Sequence, residues 1–226
     1  MLGLLEWGTR EYGDSLEQMR SLRAARRRGE IPDTLILVEH PPVVTVGVQG
    51  ADGEDLPSDL PVVYVERGGH ATYHGPGQLV GYPIVDLDAR GRDVRKFVGD
   101  VEEIVVRSLA EFGIRAGRVQ GRRGVWVDAE RKIASVGIAV EEWVTFHGFA
   151  LNVGTDLANF HRFRPCGFDG RLMTSVSQEV GRTVRVQDFR VPVIRAWETV
   201  FGASIQATTS RPLPSATPAA GAEPSG

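Results

Sequence analysis

The order of strand-like and helical runs limits this chain more than any single motif does. Runs rich in β-branched and aliphatic residues stand at 34–39 (Thr-Leu-Ile-Leu-Val-Glu), 43–47 and 62–65. Only then comes one long amphipathic pattern, from Asp93 to Phe112, with Phe97, Val101, Ile104, Val105, Leu109 and Phe112 at helical spacing. Further strand-like runs follow at 124–127 and 132–140, the second forming a hairpin with 145–153 across Glu141 and Glu142. No regular strand–helix–strand beat exists, so the expected fold is α/β (α+β), with mixed or antiparallel sheets flanked by helices, and not a Rossmann sheet. A helix is expected over 14–28, N-capped by Asp14 or Ser15, and two more close the chain at 174–180 and 187–201. The stretch 67–81 is glycine-rich and polar, with a strand over 82–87 leaving it; 49–61 reads as an acidic surface loop. Residues 1–206 thus form one domain, and the Thr/Ser/Pro/Ala/Gly stretch 207–226 is expected to be a disordered tail.

At 226 residues and 42% hydrophobic content the chain can bury a real core. A net charge of −3 argues against nucleic-acid binding, and no apolar run approaches the roughly 18–20 residues of a membrane span. The N-terminus lacks the basic and apolar regions of a secretory signal. One cysteine permits no internal disulfide, which suits a reducing compartment, so a cytoplasmic location is expected. The five histidines and the scattered carboxylates show no metal-ligand spacing, and no metal is expected.

Four stretches carry candidate chemistry. Arg67-Gly68-Gly69-His70-Ala71-Thr72-Tyr73-His74-Gly75-Pro76-Gly77-Gln78 interleaves glycines with donors and acceptors, the makings of a pocket wall that backbone can approach closely. It is neither a Walker loop nor a dinucleotide fingerprint. Lys132-Ile133-Ala134-Ser135-Val136-Gly137 holds one of only two lysines; strict alternation puts Lys132, Ala134 and Val136 on one face, Ile133, Ser135 and Gly137 on the other. A lysine aimed into a pocket can act as acid or base, whereas one at a strand end is merely solvated. Thr145 to Val153 combines apolar residues with His147 and Asn152, as either a lipophilic slot or a core strand. Cys166 sits between Pro165 and Gly167, with Arg162 and Arg164 close by; a turn exposes the thiol, and cations favour its thiolate, although a lone cysteine is commonly inert. His161 is a possible base for it, as is His74.

Taken together and in this order, Arg67-Gly68-Gly69-x-x-Thr72-Tyr73-His74-Gly75-Pro76-Gly77-Gln78, Lys132 to Gly137, His147 to Asn152, and Pro165-Cys166-Gly167 resemble the lipoyl(octanoyl) transferases. The resemblance spans the chain from the N-terminal helix to about residue 203. It implies the catalytic-core fold of lipoate and biotin protein ligases and an acyltransferase acting in lipoate biosynthesis. An octanoyl group would pass from acyl carrier protein to a lysine of lipoyl domains, those of 2-oxoacid dehydrogenase complexes and the glycine cleavage carrier protein. It further implies Cys166 as the acyl-thioester nucleophile and Lys132 as the residue that lowers its pKa. Substrate-binding segments would be Arg67, Gly68, Gly69, His70, Ala71, Thr72, Tyr73 and His74; Ser135, Val136 and Gly137; and Gly148, Phe149 and Ala150. A thioester donor is already activated, so no cofactor is implied beyond the phosphopantetheine of the carrier. His70 and the stretch 168–173 depart from the family pattern, which leaves the rim of the acyl pocket open.

Three rival readings share parts of this pattern: an ATP-dependent lipoate or biotin ligase, a cysteine thioesterase using His161 or His74, and a non-catalytic carrier- or lipid-binding protein. The residues 115–132 hold Arg115, Arg118, Arg122, Arg123, Arg131 and Lys132 against Asp128 and Glu130, a basic rim suited to an acidic carrier.

Overall fold

A computed structural model describes residues 1–50 and 56–207. Part of the expected loop 49–61 and the tail from 208 onward lie outside the described residues. In chain order the elements are β1 (Leu2–Thr9), α1 (Tyr12–Arg27), β2 (Thr34–Glu39), β3 (Val43–Val46), β4 (Val62–Tyr64), β5 (Ala71–His74) and β6 (Gln78–Ile84). Then follow α2 (Val94–Ala110), β7 (Ala116–Val119), β8 (Arg122–Val127), β9 (Arg131–Glu141), β10 (Val144–Asn152), α3 (Val176–Val180), α4 (Val186–Phe201) and β11 (Ile205–Ala207). The main sheet has eight strands in the order β11-β1-β2-β6-β10-β9-β8-β7, and β4-β3-β5 form a second sheet. β1 runs parallel to β2 and β11, and the other neighbours in the main sheet are antiparallel. The sheet is therefore mixed, as the irregular beat of elements requires.

Both faces of the main sheet are covered, and alternation along its strands shows which side chain goes where. Leu35, Leu37, Leu79, Phe149 and Leu151 pack under α2 and α4, together with Phe97, Val101, Ile104, Val105 and Leu109. Their neighbours Ile36, Val38, Val80, Tyr82 and Ala150 turn to the opposite face, where Leu16, Met19 and Leu22 of α1 cover them. Each large apolar side chain buried in this way contributes about 1.5–3 kcal/mol. Among the described residues no helix is long and apolar enough to cross a membrane.

Several boundaries differ from the sequence reading. α1 starts at Tyr12 behind Glu11, which makes no side-chain cap, so Asp14 and Ser15 lie inside the helix. The helix is held by its buried face instead of by a cap. Asp93 does cap α2, accepting from the Lys96 amide at 2.9 Å. The β9–β10 hairpin turns on Glu142 and Trp143, both at positive φ, one residue later than expected. β6 begins at Gln78, inside the glycine-rich stretch, because Gly81 leaves room for the Phe149 ring of β10; a Cβ there would lie 2.3 Å from that ring.

Candidate active site

Lys132 is fully buried near the start of β9, and a local irregularity aims it. Val125 of β8 pairs with Ala134, yet Trp126 pairs with Lys132, so Ile133 is an extra residue in the ladder. Such a bulge resets side-chain alternation. Ile133 and Ala134 consequently both join the core under α2, and Lys132 and Ser135, which strict alternation separates, both line one cavity. The simple two-face reading of this strand is thereby corrected. Lys132 Nζ lies 5.6 Å from the centre of the Trp126 ring and 5.1 Å from that of Phe168, an aromatic cradle that favours a cation.

Backbone bonds bring the cysteine segment to this lysine. Pro165–Gly167 form a single 3₁₀ turn that packs beside β5. Phe168 follows immediately, and the chain then reaches Met173, which bridges to Lys132, with the Thr174 amide donating to the Lys132 carbonyl at 2.9 Å. Phe168, two residues after Cys166, and Lys132 thus line the same cavity. His70 stands against this turn: a Cβ built on Gly167 would lie 3.6 Å from its ring. His161, by contrast, is exposed on the turn Leu157–Arg162 and does not line the cavity.

The cavity encloses about 270 Å³. That is just under the roughly 300–1,000 Å³ of typical small-ligand sites, a scale suited to a short chain. Of the expected binding residues, Arg67, Gly68, Gly69, His70, Thr72, His74, Ser135, Val136, Gly137, Gly148, Phe149 and Ala150 line it, as does Lys132. Ala71 and Tyr73 do not; alternation along β5 turns them into the small-sheet core, where Tyr73 meets Phe160 edge-on. Arg67 also organises its own loop, donating to the Gly68 and His70 carbonyls and to both the carbonyl and hydroxyl oxygens of Thr45 at 2.7 and 2.8 Å. The Gly68 amide bonds to Ile138 of β9 at 3.0 Å, fastening the loop to the main sheet.

Residues 11–198 match the family described as the lipoyl protein ligase A/B catalytic domain. The chain belongs to that family. An octanoyltransferase of Geobacter sulfurreducens is 43% identical over 191 residues, covering 84% of this chain and 80% of that one. One from Rubrobacter xylanophilus is 41% identical over 204 residues, covering 86% and 91%. Among solved structures, a putative lipoate protein ligase of Thermoplasma acidophilum with bound lipoic acid superposes with a TM-score of 0.70, at 19% identity and covering 94% and 91%. Lipoate-protein ligase A bound with ATP gives 0.69 at 20% identity, covering 93% and 89%. At these identities the two structures establish the shared fold, with its helix-flanked mixed sheet.

The inner end of the cavity in this family member holds residues that the sequence did not mark as binding. Tyr12, Val80, Tyr82 and His147 line it, while Gln49, Gly121, Arg123 and Phe168 stand elsewhere on its wall. Tyr12 and Tyr82 look like ordinary core aromatics in sequence, and only His147 gave a signal, as a polar residue in an apolar run. His147 has φ +57 within β10, a left-handed conformation costing about 1–3 kcal/mol that tends to persist at functional sites.

Buried histidines form directional chains here. His40 Nδ1–H donates to the Arg10 carbonyl at 2.7 Å, so its Nε2 accepts from the Tyr82 hydroxyl at 2.7 Å. Arg67 donates to Thr45, Thr45 to His74 Nε2 at 3.3 Å, and His74 Nδ1–H to Gln78 at 2.8 Å; Gln78 in turn donates to Asn152 at 3.0 Å. His147 bridges Tyr12 and Glu66 at 3.4 Å each, and Glu66 pairs with Arg20 at the surface. Burial pushes His40 and His147 down to about 4 and His74 to about 3; it raises Tyr12 to about 12 and Tyr82 upward as well. All three imidazoles are therefore neutral at physiological pH. With both nitrogens of His74 engaged, it is no free base for the cysteine.

The basic rim is smaller than its sequence suggests. Lys132 is buried, Arg118 pairs with Glu103 at 2.9 Å, and Arg131 pairs with Glu179 at 2.9 Å. Arg115, Arg122 and Arg123 have no ion pair among the described residues.

Proposed function

We propose that this protein transfers an octanoyl group from a thioester donor to the side-chain amine of a lysine on a lipoyl carrier domain, with Cys166 holding the acyl group between the two steps. The observation that supports this reading is that Phe168, next in sequence to the Pro165–Gly167 turn, and Lys132 line one small, partly apolar cavity, with Lys132 Nζ 5.1 Å from the Phe168 ring. The high identity to octanoyltransferases supports the acyl group and the reaction class.

In the first half-reaction the Cys166 thiolate attacks the donor carbonyl. A new C–S bond forms, the donor's C–S bond breaks, and the departing thiolate takes up a proton from the Lys132 ammonium, which leaves that lysine neutral. In the second, the acceptor amine attacks the enzyme thioester; a C–N bond forms, the Cys166 C–S bond breaks, and the amine's proton passes to Lys132. The first exchange is nearly isoenergetic and amide formation drives the second, so the reading needs no ATP. The donor we assign is an acyl group on the pantetheine of acyl carrier protein. Arg115, Arg122 and Arg123 supply a positive field suited to that acidic protein. Each tetrahedral intermediate carries an oxyanion. The amides of Gly68, Gly167 and Phe168 are already bonded to Ile138, Arg164 and Pro165 carbonyls, so its donors come from elsewhere around the cavity.

Mass spectrometry of the intact protein after incubation with octanoyl-carrier protein tests this reading. An octanoyl adduct on Cys166, formed without ATP and discharged when a lipoyl domain is added, is expected. Absence of the adduct, or a strict need for ATP, refutes it. A thioesterase would instead lose the adduct to water with no acceptor present.

A further inference from the structure

Glu102 is the one carboxylate of α2 that is almost wholly buried, at 7% exposure. Its Oε1 accepts from the Gly124 amide at 3.0 Å, on the strand that pairs with the bulge of β9. Gly124 has φ +98, and a Cβ there would lie 2.4 Å from the Ala134 carbonyl and 2.9 Å from Lys132 Cε. Only a residue without a side chain fits between the helix that bears Glu102 and the lysine that enters the cavity. Burial raises the Glu102 carboxyl above its ordinary value, and the Gly124 amide, Arg118, Arg123 and Lys132 oppose that rise. A buried carboxylate with one backbone donor and three cations acting on it costs stability unless it serves them.

We infer that Glu102 is a positioning residue for Lys132: through the side-chain-free Gly124 it fixes the β8 backbone against which the lysine packs, and its charge faces the ammonium. The inference rests on Lys132 serving the cysteine as proposed above. The other charged or titratable groups facing this pair are Arg118 from β7, Arg123 from β8, and Arg67 and His70 across the cavity. Glu103, next on α2, is turned to Arg107 and Arg118.

The test uses Glu102→Gln, which keeps an oxygen for the Gly124 amide and removes the charge. Cys166 is the only cysteine, so the rate of its alkylation by iodoacetamide against pH reports its ionisation without requiring any acyl transfer. Loss of a nearby anion favours the deprotonated form of every neighbour, so the alkylation midpoint is expected to move to lower pH by about half a unit or more. The alkaline limb of acyl-enzyme formation should move the same way. A purely structural Glu102 predicts unchanged midpoints in Glu102→Gln with loss of stability in Glu102→Ala, and that pair of results overturns the inference. If wild type takes up no octanoyl group while the alkylation midpoint still shifts, the proposed function fails and the positioning role stands.

Discussion

Acid should loosen this protein well before its carboxylates titrate. His40, His74 and His147 ionise near 6.5 in an unfolded chain but only at about 4, 3 and 4 when folded, because burial opposes the charge. A second proton on His40 would force the Tyr82 hydroxyl to turn from donor to acceptor, and one on His74 would do the same to the Thr45 hydroxyl. The unfolded state therefore binds protons that the folded state refuses. The stabilisation is complete above about pH 6.5 and is lost progressively as pH falls towards the folded values. From about pH 7 to about pH 5.5, each histidine removes about 1.3 kcal/mol and the three together about 4 kcal/mol. Glu102, whose pKa is raised, works in the opposite sense but is a single group. Urea unfolding at several pH values across this range measures the loss directly. A change in unfolding free energy below about 1 kcal/mol would show that these rings are not held neutral, and the directional hydrogen-bond chains would have to be redrawn.

Two further substitutions probe the site and its frame. Lys132→Arg retains charge but cannot exchange a proton near neutral pH, so single-turnover transfer to a lipoyl domain should slow by about 10²–10⁴-fold; a near-normal rate would reduce Lys132 to a charge partner. Gly148→Ala places a Cβ 2.0 Å from the Gly81 carbonyl and 2.6 Å from Pro83 Cδ, forcing β6 and β10 apart. Calorimetry should show destabilisation of about 3 kcal/mol, a fall in Tm of about 6–12 °C; an unchanged Tm would mean the two strands yield more easily than their packing implies.

Elements whose side chains are sorted by local periodicity were legible in the sequence: α2, the β9–β10 hairpin, and the runs of β2 and β3. β1, β7 and β11 were not. β1 reads Leu-Gly-Leu-Leu-Glu-Trp-Gly-Thr, without clean alternation, and is held by parallel partners 30 and 200 residues away. The glycine, lysine and cysteine motifs were legible because each is short and chemically distinctive. Tyr12 and Tyr82 were not, since a tyrosine that lines a cavity and one that fills a core carry the same letter. Ala71 and Tyr73 were assigned to the site with their whole motif, although strand alternation, itself a sequence rule, separates them from it.

The extra residue at Ile133 has a consequence for how this protein can change. It acts as a phase shifter in β9: Lys132 before it and Ser135 after it both reach the cavity, while Ile133 and Ala134 between them both face the helices beneath the sheet. Identity at Lys132 is therefore only half of what evolution or an engineer must keep. A regular ladder in which Trp126 faced Ile133 and Val127 faced Lys132 would leave every motif letter in place, yet it would put the lysine on the helix-covered face of the sheet with Val125 and Val127. A sequence could then carry the full signature of the family with its lysine facing the wrong way.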